Sequence, residues 1–260
     1  MRSAVFLASA SMALSSSAVG AGRIGDPASG LSGATMLKAI TIIKRKAGMS
    51  VEAFQHYWRT THAEVVKPLP DIRRYVQSHA LLGGYRKGEL PHDGIAEIWV
   101  DDMAALRAMS NSPHYAHVVA DEARFIDRAS MVLLLVEDHV IKHGAIPADA
   151  VKNIEFVSHR PGMAIEDFQR YWREVHGPLA THITQIRRYV QSHVRLGAYK
   201  AGKPPKYDGC ALTWFESVAA MRDSARSPAY ARTRDDEANF LDTAGGHLPF
   251  IITREHVIVA

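Results

Sequence analysis

The chain carries one sequence pattern twice. "YWRTTHAEVV" begins at Tyr57 and "YWREVHGPLA" begins at Tyr171, and both are followed by "IRRYVQSH", "DG", "SP-x-YA", "DEA-x-F-x-D" and "HVI" in the same order. Gly48–Asp127 aligns with Gly162–Asp242, with one residue inserted near Lys206. A period of about 115 residues is much longer than the 20–50 residues of solenoid and propeller repeats. The repeat therefore predicts two complete domains of the same fold, at residues 36–142 and 151–260, joined by a short Gly/Pro/Ala-containing linker.

Composition narrows the class of protein. The 260 residues are 47% hydrophobic and carry a net charge of +4, with no run of Lys or Arg, so we expect a folded core and no nucleic-acid partner. Cys210 is the single cysteine, which excludes an internal disulfide framework and a multi-thiolate metal site. Because it lies in an apolar, strand-like run, we expect it to be a core residue.

The first 35 residues differ from the rest. They contain an early arginine, a weakly apolar Ala/Ser/Leu/Val stretch and a small-residue end at Ala21, which is the outline of a secretory signal peptide. The alternative is a disordered extension upstream of an internal start at Met36. The first case implies a periplasmic or secreted protein and the second a cytoplasmic one. No later stretch approaches the roughly 18 apolar residues of a membrane span, so we expect no membrane association in the mature form.

Each half predicts the element order βαββαβ. The alternating, β-branched segment "LKAITIIKRK" predicts the first strand, and Ser50 is placed to cap the helix that follows it. That helix puts Phe54, Trp58 and His62 on one apolar stripe. A second helical region, interrupted near Pro113, precedes the last strand. This order is that of the ferredoxin-like unit, and the predicted class is α+β.

The predicted unit leaves one sheet face uncovered, because both of its helices pack on the other face. A large exposed apolar face is rare in soluble monomers. Two copies in one chain can pack their antiparallel sheets face to face, which gives an intramolecular α/β-barrel. The same closure leaves an apolar cleft between sheet and helices in each half, where ligands are commonly bound.

His62 and His176 are the candidate catalytic residues. Each lies one turn beyond a tryptophan, Trp58 or Trp172, on the helix stripe that faces the sheet. A histidine on an apolar face can be a hydrogen-bonded core residue and nothing more. The alternative is proton transfer, for which imidazole is suited near neutral pH, and the recurrence of the histidine in both halves while its neighbours change favours it.

The strands "RRYVQSH" supply further candidates. Alternation places three polar-tipped side chains on one face of each strand. These are Tyr75, Gln77 and His79 in the first half and Tyr189, Gln191 and His193 in the second. They can line the cleft and orient a carbonyl or phenol oxygen, or this face can meet solvent or the seam between the domains.

Two further groups fall at matching places in the two halves. Trp99 and Trp214 occur in the third strands, where they are either aromatic walls of the cleft or plain core residues. The acidic pairs Asp121-Glu122 and Asp236-Glu237 are interpreted as helix caps or salt-bridge partners.

The sequence lacks the motifs of several common classes of enzyme and nucleotide-binding protein. The chain has no dinucleotide-binding glycine motif, no phosphate-binding loop, no H-E-x-x-H and no G-x-S-x-G. The 14 histidines match no standard zinc spacing. We therefore expect neither a metal nor an organic cofactor.

The repeated words resemble the EthD domain, a member of the dimeric α/β-barrel superfamily. The resemblance rests on "GMSVEAFQHYWRTTHAEVV" and "GMAIEDFQRYWREVHGPLA", on "RRYVQSH" and on "SP-x-YA…DEA-x-F-x-D". It covers nearly everything after Met36. EthD proteins usually pair as homodimers, so the tandem chain is similar to a fused dimer. The family's helix histidine falls on His62 and His176, and the first half departs from the common H-[AG]-P-L pattern at Glu64 and Val65.

The resemblance implies a role in oxidative catabolism. The family accompanies an ether-oxidising cytochrome system and is classed with oxidoreductases, whereas similar folds include cofactor-independent decarboxylases, dehydratases and lactone isomerases. We expect a protein that binds a small apolar or aromatic oxygenated compound, with proton transfer by His176 and His62. The alternatives are a cofactor-independent lyase or isomerase, and a non-catalytic protein that delivers an intermediate to an oxygenase partner. Haem binding rests on fold analogy alone.

Overall fold

The computed structural model describes residues 36–201, 204–246 and 248–260. The signal peptide or extension predicted at residues 1–35 lies outside these residues. The strands are β1 (Leu37–Ile43), β2 (Arg74–Ala80), β3 (Gly94–Val100), β4 (Val132–Lys142), β5 (Val151–Val157), β6 (Ile186–Val194), β7 (Gly209–Phe215) and β8 (Phe250–Val259). The α-helices are α1 (Val51–Tyr57), α2 (Ala63–Val66), α3 (Met103–Asn111), α4 (Tyr115–Phe125), α5 (Ile165–Tyr171), α6 (Gly177–Thr181), α7 (Val218–Ser224) and α8 (Pro228–Asp236). None of the helices in the described ranges has the length and apolarity that crossing a bilayer requires.

The strands form one closed antiparallel barrel in the order β1-β3-β2-β8-β5-β7-β6-β4. Each half contributes four neighbouring strands, in the order β4-β1-β3-β2 and its equivalent β8-β5-β7-β6. The predicted pair of ferredoxin-like units and their closure into an intramolecular barrel are confirmed. The two sheets also hydrogen-bond edge to edge, so the barrel has no free strand edge.

The last strand of each half makes this closure. Residues 132–136 of β4 pair with β1 of their own half, and residues 136–142 continue along β6 of the other half. Strand β8 does the same, first along β5 and then along β2. Separating the halves would therefore expose the backbone of four strands, β2, β4, β6 and β8.

The barrel interior contains an ion cluster within an apolar layer. Glu97 is 1% exposed, and its Oε1 lies 2.7 Å from Lys38 Nζ. Its Oε2 pairs with Lys152, whose Nζ also lies 2.9 Å from Glu255 Oε1. The two lysines occupy equivalent positions in the halves, but the equivalent of Glu97 is Leu212. One glutamate therefore bridges two symmetry-related lysines, which a homodimer of either half could not reproduce.

The helices cover the outer face of the barrel, and their predicted ends are confirmed. Ser50 Oγ accepts a hydrogen bond from the Ala53 amide at 3.1 Å, which caps α1. Helix α3 ends at Asn111 and α4 begins at Tyr115, so the interruption falls at the expected proline. In the first half, the helices and the outer sheet face enclose a cleft of the kind that the sequence predicts.

Candidate functional site

A π-helical turn places the histidine in each half. It spans Trp58–His62 in the first half and Trp172–His176 in the second. In this turn the Ala63 amide donates to the carbonyl of Trp58, and Gln77 Nε2 donates to the same oxygen at 2.9 Å. Such turns are rare and are frequently found at functional sites. The regular i, i+4, i+8 stripe predicted from the sequence is therefore interrupted at the point where the histidine is positioned.

His62 is hydrogen-bonded to a carboxylate that also binds a tyrosine. Its Nδ1 lies 2.8 Å from Asp121 Oδ2, and Asp121 Oδ1 accepts the hydroxyl proton of Tyr57 at 2.7 Å. The second half repeats this arrangement, with 2.9 Å between His176 Nδ1 and Asp236 Oδ2. The Tyr171 hydroxyl donates to Asp236 Oδ1 at 2.7 Å.

These contacts determine the proton position on His62. A carboxylate accepts, so Nδ1 carries the proton and Nε2 keeps its lone pair in the neutral ring. Nε2 forms no hydrogen bond with another residue of the described ranges. Burial lowers the pKa of His62 below its ordinary value, although Asp121 partly opposes this effect. His62 is therefore neutral at pH 7, with a basic nitrogen available, and His176 is buried in the same way.

A cavity of about 70 Å³ lies beside His62, between the sheet and helices α3 and α4 of the first half. Its wall includes Trp58 and Tyr75 and is otherwise mostly aliphatic. Three further polar side chains, Thr41, Tyr115 and Glu122, also line it. An engineered cavity of about 150 Å³ binds benzene, so this one holds a molecule smaller than an aromatic ring unless its wall moves.

A hydrogen-bonded chain orients Tyr75. His79 Nε2 lies 2.9 Å from Gln77 Oε1, and Gln77 Nε2 donates to the Tyr75 hydroxyl oxygen at 2.9 Å. The tyrosine oxygen thus accepts a hydrogen bond within the protein, and no residue of the described ranges accepts the proton of its hydroxyl group. Burial raises the pKa of Tyr75 to about 12, which keeps the phenol protonated. Of the three predicted side chains, only Tyr75 reaches the cavity.

His79 and His193 lie behind the cavity walls. His79 stacks on Trp58 with ring centroids 4.2 Å apart, and His193 stacks on Trp172 at 4.4 Å. Burial lowers the pKa of His79 to about 2, so this ring stays neutral. Gln191 repeats the contacts of Gln77 in the second half, with Nε2 donating to the Tyr189 hydroxyl at 3.1 Å. Gln77, His79, Gln191 and His193 therefore support other residues.

Trp99 and Trp214 lie on the opposite face of the sheet. Lys38 Nζ is 4.8 Å from the ring centroid of Trp99, and Lys152 Nζ is 4.8 Å from that of Trp214. Successive side chains of a strand point to opposite faces of the sheet. Trp99 therefore shares the interior face of β3 with Glu97, and Trp214 shares that of β7 with Leu212. The structure thus places them with the ion cluster and away from the cavity wall.

The second half has different residues at several positions that line the first-half cavity. Ala39, Thr41 and Ile98 of the first half correspond to Asn153, Glu155 and Thr213. Arg234 Nη1 lies 2.8 Å from Glu237 Oε1 and 3.5 Å from Glu155 Oε1 in this region. The sequence departs from the family pattern in the first half, but the apolar cavity is found there.

Sequence reasoning missed the histidine partners Asp121 and Asp236, which it interpreted as helix caps or salt-bridge partners. The available signal was that "DEA" follows both histidine motifs at matching places. It also gave no role to Tyr115. Within the described residues, no group of three or more His, Cys, Asp or Glu side chains is arranged to hold a metal ion.

Comparison with known proteins agrees with this architecture. The family model of the EthD domain matches residues 46–129 and 160–244. The crystal structure of an anthrone oxidase-like protein has a TM-score of 0.60 at 11% identity, over 87% of this chain and 94% of that one. A protein from Lactobacillus acidophilus NCFM, provisionally assigned as a monooxygenase, has a TM-score of 0.53 at 10% identity, over 86% and 95%.

Identities this low show a shared fold only. No curated protein sequence matches the chain. The family model, however, covers more than half of the chain in two segments. The chain therefore belongs to the EthD family and carries two EthD domains in tandem.

Proposed function

We propose that the first-half cavity binds a small oxygenated organic compound and that His62 moves a proton on it. The observation that carries the proposal is the His62–Asp121 pair, whose free ring nitrogen belongs to a side chain in the wall of an otherwise mostly aliphatic cavity. A histidine that served packing alone would have hydrogen-bond partners at both ring nitrogens, whereas the described residues supply one to Nδ1 of His62 and none to Nε2.

Tyr75 is the proposed donor to the ligand's oxygen. Its hydroxyl proton has no acceptor among the described residues, and Gln77 donates a hydrogen bond to its oxygen. A protonated phenol in a water-poor site stabilises negative charge that develops on a carbonyl oxygen. Within one cavity, His62 thus supplies a base and Tyr75 supplies a hydrogen-bond donor to the carbonyl oxygen of the ligand.

The simplest reaction for these groups is enolisation. His62 Nε2 accepts a proton from the carbon next to a carbonyl group, the C–H electron pair forms the C=C bond, and the carbonyl oxygen becomes an enolate held by Tyr75. Return of the proton to the same or another carbon gives exchange or isomerisation. A positioned base contributes about 10²–10⁴-fold in rate.

The second half carries the same dyad with a more polar wall. We propose that His176 has the same role towards a different, more polar ligand. An involvement in oxidative catabolism is supported by the family and, at the level of fold, by neighbours described as a monooxygenase and as anthrone oxidase-like.

Hydrogen exchange in deuterium oxide tests the proposal. Hydroxyacetone is a suitable probe because it has a carbonyl group, an acidic C–H bond and few atoms. The protein should accelerate loss of its CH₂ signal in NMR spectra, and His62→Gln should lower the acceleration by about 10²–10⁴-fold.

The His176→Gln variant and the double variant complete the experiment. Equal exchange by the wild type and the double variant would show that neither histidine transfers the proton. Binding of hydroxyacetone without accelerated exchange would instead favour the non-catalytic role, in which the protein delivers its ligand to an oxygenase.

A further inference from the structure

Glu122, in the wall of the cavity, has a side-chain carboxyl group without a hydrogen-bond partner among the described residues. Glu122 is 15% exposed at its side chain, lines the cavity, and forms no hydrogen bond with another residue of the described ranges. Its nearest cation is Arg128, whose Nε lies 3.4 Å from Oε2. Burial raises the pKa of Glu122 to about 7. Above that pH the group is an ionised carboxylate with about four acceptor positions, and most of them are available to a ligand.

In the second half, the equivalent glutamate is paired with an arginine. Glu237, the equivalent of Glu122, has Arg234 Nη1 2.8 Å from its Oε1. The residue at the position of Arg234 in the first half is Val119. The arginine beside Glu237 is therefore within hydrogen-bond distance, whereas Arg128 in the first half stays 3.4 Å from Glu122 and no arginine replaces Val119.

Tyr115 stands close to the open carboxylate. It lies two helical turns before Glu122 on α4, so both side chains project from the same face of the helix. The negative charge of Glu122 contributes to raising the pKa of Tyr115, after the larger effect of burial. Its hydroxyl group also has no hydrogen-bond partner in the described ranges, so the cavity wall has two polar groups that a ligand can contact.

From these contacts we infer that the ligand of the cavity is neutral and carries, beside the oxygen bound by Tyr75, a hydroxyl group that donates to Glu122. This inference rests on the proposed function of the cavity. Above pH 7, where Glu122 is ionised, a carboxylate-bearing ligand is disfavoured, because it would place a second negative charge beside Glu122 where Arg128 is the one adjacent cation among the described residues. The decarboxylation of an acid is thereby the least compatible of the reactions considered for this fold.

Three probes of similar size, titrated between pH 8 and 9 where Glu122 is ionised, separate the contributions of the ligand groups. Hydroxyacetone has the carbonyl and hydroxyl groups, butanone replaces the hydroxyl with a methyl group, and pyruvate carries a carboxylate. A hydrogen bond to a charged group contributes about 1.5–3 kcal/mol, which is a factor of about 10–100 in affinity. We expect hydroxyacetone to bind about 10–100 times more tightly than butanone, and pyruvate more weakly than either.

The Glu122→Gln and Glu237→Gln variants are a matched pair for titration by NMR. The first should reduce the preference for hydroxyacetone over butanone by about tenfold or more, and the second should preserve it. Equal binding of hydroxyacetone and butanone by the wild type, or tight binding of pyruvate, would overturn the inference while leaving the proposed function intact. Failure of all three probes to bind would overturn both. The wild-type comparison requires no variant, so a folding defect in Glu122→Gln does not affect it.

Discussion

His62 Nδ1 lies 2.8 Å from Asp121 Oδ2, and this hydrogen bond determines which ring nitrogen is basic. The acceptor is held in turn by the Tyr57 hydroxyl at 2.7 Å. Three side chains from two different helical segments therefore fix one tautomer. The chemistry proposed for the cavity depends on that tautomer, because only an unprotonated Nε2 can accept a proton.

Asp121→Asn should remove this control. An asparagine amide can donate to Nδ1, which favours a proton on Nε2 and leaves no base towards the cavity. In a well-studied His–Asp pair the same substitution lowers the rate about 10⁴-fold, and we expect the hydroxyacetone exchange rate to fall by about 10²–10⁴-fold with little change in affinity. Asp236→Asn is the comparison: an equal loss from that variant would contradict a reaction confined to the first-half cavity.

The exchange rate should fall in acid only at a pH below the ordinary pKa of histidine. Burial lowers the pKa of His62, so the neutral base persists as the pH falls below 6.5, its ordinary pKa. Asp121 raises that pKa, and its replacement by asparagine should therefore move the acid limb of any residual activity to still lower pH. Rate profiles of the two proteins between pH 4 and 8 check the sign. A limb that moves upward in the variant would show that another group titrates.

Tyr75→Phe tests the hydrogen bond to the carbonyl oxygen separately from the base. The variant keeps the ring and loses the hydroxyl that Gln77 orients at 2.9 Å. Because the interaction strengthens as negative charge develops on the oxygen, we expect kcat for exchange to fall by about 10²–10³-fold while KM changes less. Steady-state exchange rates at several probe concentrations separate the two constants. A rise in KM alone would indicate that Tyr75 only binds the ligand.

Much of the architecture follows from the sequence. Alternation in the strands and the i, i+4 stripe of the first helix predict which faces are apolar, and the duplication predicts closure of two sheets. The edge-to-edge joining of β4 with β6 and of β8 with β2 was not predictable in the same way. It depends on the length of the last strands, and element ends are the least reliable part of a sequence-based assignment.

The candidate site was predicted less completely. His62, His176 and Tyr75 were identified because each is a polar residue on a periodic apolar face. Asp121 was not assigned to the site, since its contact with His62 joins residues far apart in sequence and depends on the π-helical turn. Trp99 was left open between a cleft wall and the core, because the sequence does not reveal which sheet face a tryptophan occupies when both faces are covered.

Glu97→Gln should strongly destabilise the barrel. Although burial alone raises its pKa, Lys152 and Lys38 hold the pKa of Glu97 at about 2. Breaking a buried ion pair by removing one partner costs about 3–5 kcal/mol, and we expect a loss of that size in the free energy of unfolding at pH 7. Urea denaturation measures it.

The Glu97→Gln experiment has two controls: a series of pH values and a variant of an exposed ion pair. The stabilisation by Glu97 is present above its unfolded pKa, near 4.5, and is lost as the pH falls towards 2. The difference between wild type and variant should therefore shrink in acid. Glu137→Gln removes an exposed partner of Arg195 and should cost less than about 1 kcal/mol. Similar losses from both variants would contradict a special role for the ion cluster.

Gly94→Ala should displace the tryptophan that packs over the site. A Cβ atom at Gly94 would lie 2.5 Å from the carbonyl oxygen of Ser78 and 2.7 Å from Cζ3 of Trp58, distances that require one of them to move. Overpacking of this kind costs about 1–3 kcal/mol, and the shift of Trp58 should also alter its fluorescence and slow exchange. Gly83→Ala is the matched control, because nothing lies within 4 Å of a Cβ atom there. Thermal unfolding and tryptophan emission measure both variants. Equal behaviour of the two proteins would mean that the glycine in the repeated "DG" is not required by close packing of the tryptophan against β2 and β3.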